Sequence, residues 1–165
     1  YSEDGYEITE YIGEDAMLTY DKYNAEGNRV KKIRYYTDAN GALAGGYYMY
    51  DYNDAGKETY YCSYNANGNK SNERTTSYYA NGKTKKEVYY SYNSEGTVYY
   101  YSVAEYDTNG VRTECTYNGA DTIIGKRITE YDSYGNEKKS TYYYYSDGEV
   151  GFNYNFKFAN NLKSI

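Results

Sequence analysis

The chain has no histidine, no tryptophan and no proline, and only two cysteines in 165 residues. Without histidine, the Ser-His-Asp and Cys-His nucleophilic mechanisms are excluded, and so are zinc sites built with imidazole. Cys62 and Cys115 are too few for a disulfide framework or a cysteine metal site, and they leave the redox compartment open. Fewer than one residue in eight is Val, Ile, Leu or Phe, a fraction that on its own describes a disordered chain. No run approaches the ~20 apolar residues of a membrane-spanning helix. The net charge is −6 and the Lys and Arg residues are scattered, which argues against nucleic acid as a partner. No signal peptide is visible and the chain opens on Tyr1, so a mature chain or an excised fragment is expected.

What replaces the aliphatics is tyrosine, 31 residues of it. Tyrosine has high strand propensity and joins a large apolar ring to a polar tip, so it can cover a sheet face while its hydroxyl stays wet. With a modest net charge, this composition favours a folded all-β chain over disorder. No helix is expected anywhere.

The sequence is repetitive. Tyr-x-x-x-Gly occurs nine times, starting at Tyr1, Tyr23, Tyr52, Tyr64, Tyr78, Tyr92, Tyr106, Tyr131 and Tyr144, with a longer copy from Tyr36 to Gly41. From Gly68 the glycines step by 14 to Gly82, Gly96 and Gly110. Asn or Asp commonly follows the Tyr (Asn24, Asn53, Asn65, Asn93, Asp107, Asp132) and can cap a turn through its own side chain. Glycine three residues later suits the position of positive φ that ends a type I turn in a three-residue hairpin loop. Gly27, Gly56, Gly68, Gly82, Gly96, Gly110 and Gly135 are therefore predicted turn glycines. Each unit reads as one strand plus one turn, and the whole as an antiparallel tandem-repeat meander of about ten strands, an open or partly rolled sheet.

Alternation along the strands is visible at Val88, Tyr90 and Tyr92, and again at Tyr48, Tyr50 and Tyr52. The stretch from Asn69 to Ser77 has no apolar residue and must be held by its neighbours or lie poorly buried. Between Gly110 and Tyr131 the period breaks, and Asn118-Gly119 there is a tight-hairpin signal. The N-terminal stretch from Tyr6 to Tyr20 reads as a looser hairpin carrying Ile8, Ile12 and Leu18. Val150, Phe152, Tyr154, Phe156 and Phe158 alternate most cleanly of all. The reading is one repetitive β-domain over residues 1–165, regular over 20–148, with 149–165 as a C-terminal capping strand. Counting strands puts Cys62 and Cys115 four strands apart, roughly 19 Å in an open sheet, beyond disulfide reach. Free thiols are expected.

The turns YDTNG and YDSYGNEKKS, and more loosely YNAEGNRVKK, resemble the bacterial YD (RHS-type) repeat, from about Tyr20 to Gly148. YYTDANGALAGGYYMYD looks like a glucan- or choline-binding wall repeat, though without its tryptophans, and YYANGKTKKEVYY looks like the shortened MORN-type repeat. These resemblances imply a secreted or surface-exposed bacterial protein whose strand-turn units build a shell, stalk or attachment surface.

Clustered tyrosines are the candidate ligand-binding residues, namely Tyr99, Tyr100 and Tyr101, and Tyr142, Tyr143, Tyr144 and Tyr145. Such rings stack on sugars, or alternatively pave a sheet that lacks aliphatics. Turn acids (Glu26, Asp54, Glu95, Asp107, Asp132, Asp147) suit capping better than calcium, because their spacing fits no EF-hand or nonapeptide repeat. Nothing among 24 acids singles out a catalytic pair. The expectation is a non-catalytic module with no cofactor and no metal, located outside the cell or on its surface. It would bind a polysaccharide, a cell-wall glycan or another surface protein through tyrosine rows, or alternatively serve as a passive spacer or shell segment of a larger protein.

Overall fold

A computed structural model describes residues 6–11, 17–38, 40 and 42–157. The chain is all-β. Its strands are β1 (Tyr6–Tyr11), β2 (Met17–Tyr23), β3 (Arg29–Thr37), β4 (Leu43–Tyr52), β5 (Glu58–Tyr64), β6 (Lys70–Tyr78), β7 (Thr84–Tyr92), β8 (Val98–Tyr106), β9 (Val111–Asn118), β10 (Ile123–Tyr131), β11 (Glu137–Ser146) and β12 (Glu149–Lys157). They follow one another in chain order in one sheet, with β1 and β12 at the two ends of the order. This is the meander that the repeat predicts, with twelve strands in place of about ten. Ile12, Gly41, Phe158 and the motif beginning at Tyr1 lie outside the described residues.

The turn chemistry is as the motif dictates. In the first regular turn the Gly27 amide donates to the Asn24 carbonyl at 3.0 Å and the Asn24 amide to the Asn28 carbonyl at 2.9 Å. The Asn24 side chain accepts from the Asn28 amide at 2.8 Å. The same arrangement recurs at Asn53, Asn65, Asn93, Asp107 and Asp132, whose side-chain oxygens each accept two backbone N–H groups of their own turn. All seven predicted turn glycines have φ between 71° and 86°, the left-handed region where a Cβ is unwelcome. Asp107 and Asp132 are thus committed to backbone caps.

Two turns depart from expectation. Asn118-Gly119 does not form a two-residue loop. Asn118 caps a three-residue loop in the usual way, and Asp121, at φ 60°, takes the place glycine holds elsewhere. Gly119 is required for a different reason, since a Cβ there would lie 2.3 Å from the Val98 carbonyl oxygen. The interval from 110 to 131, where the period breaks, is therefore one more hairpin, β9–β10. Conversely, Asp147 (φ 53°) and Gly148 (φ 82°) make a two-residue turn with two left-handed residues, a tight hairpin loop where the motif predicted the longer one.

The chain forms two compact units, Tyr1–Thr76 with Tyr89–Thr97, and Ser77–Val88 with Val98–Ile165. In the first, one face carries a ladder of rings from β2 to β5. Tyr20 meets Tyr35 edge-on at 5.9 Å, Tyr35 stacks on Tyr47 at 5.2 Å, and Tyr47 stacks on Tyr64 at 4.3 Å with an interplanar angle of 8°. Each such pair adds ~0.5–1.5 kcal/mol beyond its burial. Strand β6, which has no apolar residue before Tyr78, is held by polar cross-strand pairs. Arg74 meets Glu58 at 2.7 Å, and the Asn72 amide donates to Ser63 Oγ at 3.0 Å.

In the second unit, β8 to β12 pair in the same antiparallel way. Across the described residues the buried apolar side chains are Cys62 and Ala104. Cross-strand pairs, not a thick core, carry the packing. Cys62 and Cys115 are both free thiols.

Candidate functional site

The site candidates are the places where aromatic rings meet solvent. On one face of the second unit, register places Gly125, Arg127 and Thr129 of β10 opposite Tyr144, Tyr142 and Ser140 of β11. Phe152, Tyr154 and Phe156 of β12 then lie opposite Tyr144, Tyr142 and Ser140. Side chains directly opposite on antiparallel strands share a face, so five rings gather on two strands.

The rings are close to parallel. Tyr144 stacks on Phe152 at 4.6 Å and 16°, Tyr142 on Tyr154 at 5.3 Å and 21°, and Tyr144 on Tyr154 at 5.7 Å and 26°. Phe156 closes the end edge-on at 5.2 Å from Tyr154. The Tyr144 and Tyr154 hydroxyls share a hydrogen bond of 2.8 Å, which raises the Tyr154 phenol above its ordinary value. Phe152 is 59% exposed and Phe156 50%, values that mark an uncovered apolar surface and not a core.

Beside this platform is a hollow of about 260 Å³ whose lining includes Glu114, Thr116, Gly125, Arg127, Tyr142 and Tyr144. Gly125 opens it, because a Cβ there would meet no atom closer than 3.9 Å and would occupy the hollow itself. Arg127 forms one wall and is firmly placed. Its Nη2 donates to both Glu137 carboxylate oxygens at 2.6 and 2.7 Å, and its guanidinium lies 4.9 Å from the Tyr142 ring centre. One pair further along the same face, the buried Thr129 and Ser140 hydroxyls bond each other at 3.1 Å. Glu114, on the opposite wall, pairs with Arg112 at 2.9 Å. Chemically the arrangement offers flat apolar faces flanked by a few fixed polar groups, the usual make-up of a small-molecule recognition surface.

A larger hollow of about 430 Å³ lies among Tyr79, Lys85, Glu105, Tyr106 and Asp107. Its phenols already have protein partners. Tyr79 donates to the Tyr106 carbonyl at 2.5 Å and Tyr106 to Glu87 at 2.7 Å. Burial and that Glu87 bond push the Tyr106 phenol up to about 12.

In the first unit, Glu73 gathers Lys70 at 2.8 Å and the Tyr92 hydroxyl at 2.5 Å beside the buried Cys62. Burial alone would raise the Glu73 carboxyl, but the bonds from Lys70, Tyr92 and Tyr60 outweigh it and hold it low. Burial, with Cys62 and Glu73 beside it, pushes the Tyr60 phenol well up. These groups satisfy one another and form a structural knot. Among the described residues no group of three or more Cys, Asp or Glu could hold a metal ion.

The tyrosine clusters read from the sequence are not clusters in space. Of Tyr142 to Tyr145, Tyr142 and Tyr144 join the platform. Tyr143 lies opposite Lys126 and Asn153, and Tyr145 opposite Val150, on the other face. Tyr99, 70% exposed, meets Tyr100 edge-on at 5.8 Å, while Tyr101 stacks on Tyr117 at 4.8 Å. These three do not assemble into one surface. Phe152, Tyr154 and Phe156 belong to the site although the sequence marked them as a cap. The signal that pointed to them is their clean alternation along the strand.

No family model matches the chain, and no curated protein matches it in sequence. Among solved structures it is similar to a porin-like protein from Bacteroides uniformis, at 13% identity over 90% of this chain and 91% of that one, with a TM-score of 0.34. Among the described residues no helix is long and apolar enough to cross a membrane.

Proposed function

We propose that the chain is a non-catalytic repeat module of a secreted or surface-exposed bacterial protein, and that it binds glycan or cell-wall polysaccharide on the Tyr142–Tyr144–Phe152–Tyr154 platform. The observation that carries this reading is the set of nearly parallel rings beside a polar-edged hollow, with Tyr144, Phe152 and Tyr154 exposed and Tyr142 half-buried. The negative face of an aromatic ring accepts the weakly positive C–H face of a sugar ring. Thr116 and Arg127 at the hollow's edge can hydrogen-bond ring hydroxyls. The carboxylates nearest the hollow, Glu114 and Glu137, are paired with Arg112 and Arg127, an arrangement suited to shaping a surface and not to protonating a glycosidic oxygen. Surface location and bacterial origin rest on the likeness of the turns to YD repeats.

The test is a titration of intrinsic tyrosine fluorescence with soluble neutral and acidic glycans. Tyr144→Ala and Tyr154→Ala are expected to weaken binding at least about tenfold, as loss of a stacked aromatic contact does. Tyr47→Ala, in the other unit, should leave binding unchanged. A flat response across a broad glycan panel refutes the reading.

A spacer role is favoured by a different observation. In the first unit the rings of Tyr20, Tyr35, Tyr47 and Tyr64 are half-buried and interlocked, as expected of a passive structural array.

A further inference from the structure

Strand β12 ends the strand order, pairs with β11 on one side, and is exposed along its whole length. Sheet edges of this kind are normally blunted by charges, proline or a bulge in mid-strand. Here the chain has no proline, the charges sit only at the two ends (Glu149 and Lys157), and the one bulge falls at Gly151, before the flat part begins. At the other end of the order, β1 carries Glu7 and Glu10 within its six residues. Between Phe152 and Phe156 the edge at β12 carries none of these devices.

The sequence of that open edge is a palindrome. Phe152-Asn153-Tyr154-Asn155-Phe156 reads the same in both directions about Tyr154. An antiparallel pair formed by a two-fold axis perpendicular to the sheet matches each residue with its mirror position in the partner and keeps like faces together. With the axis at Tyr154, Phe152 would face the partner's Phe156, Asn153 the partner's Asn155, and Tyr154 the partner's Tyr154. Aromatic would meet aromatic on one face and amide would meet amide on the other, with no like charges opposed.

We propose that β12 is a self-recognition edge, and that two copies of this chain join through it as a closed antiparallel dimer centred on Tyr154. The backbone edge of each strand is satisfied by the other, and the two aromatic platforms become one continuous surface. The partner's Phe152, Tyr154 and Phe156 then extend the row begun by Tyr142 and Tyr144. The pairing itself does not depend on the glycan reading, because it is measured as mass with no sugar present.

Light scattering on the full chain over about 1 to 100 µM, the range expected for a small interface, should show the mass rising from one 19.1 kDa chain to two. Asn153 and Asn155 point away from the platform and allow the register to be tested. The double variant Asn153→Lys/Asn155→Lys places lysine opposite lysine twice and should weaken the dimer at least tenfold. The double variant Asn153→Lys/Asn155→Glu places lysine opposite glutamate twice and should dimerise at least as tightly as the parent. A chain that stays monomeric throughout overturns the proposal. So does growth into open-ended polymers, which would mean β12 adds to a different edge, and so do two variants that behave alike.

Discussion

Gly46 sits where β4 leaves its pairing with β5, beside the start of the turn at Asn65. A Cβ built on it would lie 1.8 Å from the Tyr64 carbonyl oxygen, 2.9 Å from the Tyr64 carbonyl carbon and 3.1 Å from the Asn65 Cα. All three are backbone atoms, so no side chain can swing aside. Gly46→Ala must push the two chain segments apart by more than 1 Å. Overpacking of this kind costs ~1–3 kcal/mol. The shift also parts Tyr47 from Tyr64, stacked at 4.3 Å, for ~0.5–1.5 kcal/mol more. The expected loss is about 3 kcal/mol. Gly45→Ala is the control one residue away. Nothing lies within 4 Å of its would-be Cβ, and only its φ of 99° opposes a side chain, at ~1–2 kcal/mol. Urea unfolding followed by tyrosine fluorescence gives both values. Amide exchange in β4 and β5 should accompany it, since arrays of nearest-neighbour units do not always unfold in one step. The steric argument is refuted if Gly46→Ala proves no more harmful than Gly45→Ala.

Asp121→Gly should stabilise the chain by roughly 0.5 kcal/mol, because it removes a left-handed non-glycine residue at the loop position that glycine fills elsewhere; a lower urea midpoint would contradict this account of the β9–β10 turn. Alkaline pH should loosen the sheet. The bond between the Tyr48 and Tyr36 hydroxyls and burial push the Tyr48 phenol up to about 12, and Tyr106 is raised as far by burial and Glu87. Folding therefore favours the protonated phenols. Their contribution is intact below the unfolded value near 10 and is lost as pH climbs through about 12. A spectrophotometric titration should show a class of tyrosines ionising late and together with loss of β-sheet circular dichroism; uniform ionisation near 10 would rule this out.

The turns were legible because their chemistry is local. A residue held at positive φ selects glycine, and an Asn or Asp three residues earlier can bond the amides of the same loop. Where the same loop used Asp121 in place of glycine, the period vanished from view and the β9–β10 hairpin looked like an interruption. Asn118-Gly119 misled for a related reason, since Gly119 is there to let the Val98 carbonyl approach. The platform was half legible. Neighbouring tyrosines in a strand point to opposite faces, so Tyr142 to Tyr145 divide into two pairs. The rings that complete the surface come from β12, and that pairing depends on a two-residue turn. Even the alternation of β12 held only from Phe152 onward, because the extra residue Gly151 sets Val150 opposite Tyr145. Strand β6 was hardest to assign, being held by charge and amide pairs whose partners lie on another strand.

The self-contained turns have a consequence for how such a chain changes over generations. The loops that begin at Asn24, Asn53, Asn65, Asn93, Asp107 and Asp132 each carry their own capping residue and their own glycine, so these strand-turn units need no matching change elsewhere to fold their corners. Units that share one turn chemistry are interchangeable at their corners, whatever their strands carry. Gain or loss of two units at a time keeps every remaining strand running in its original direction, so length can drift among descendants while the terminal aromatic hairpin stays intact.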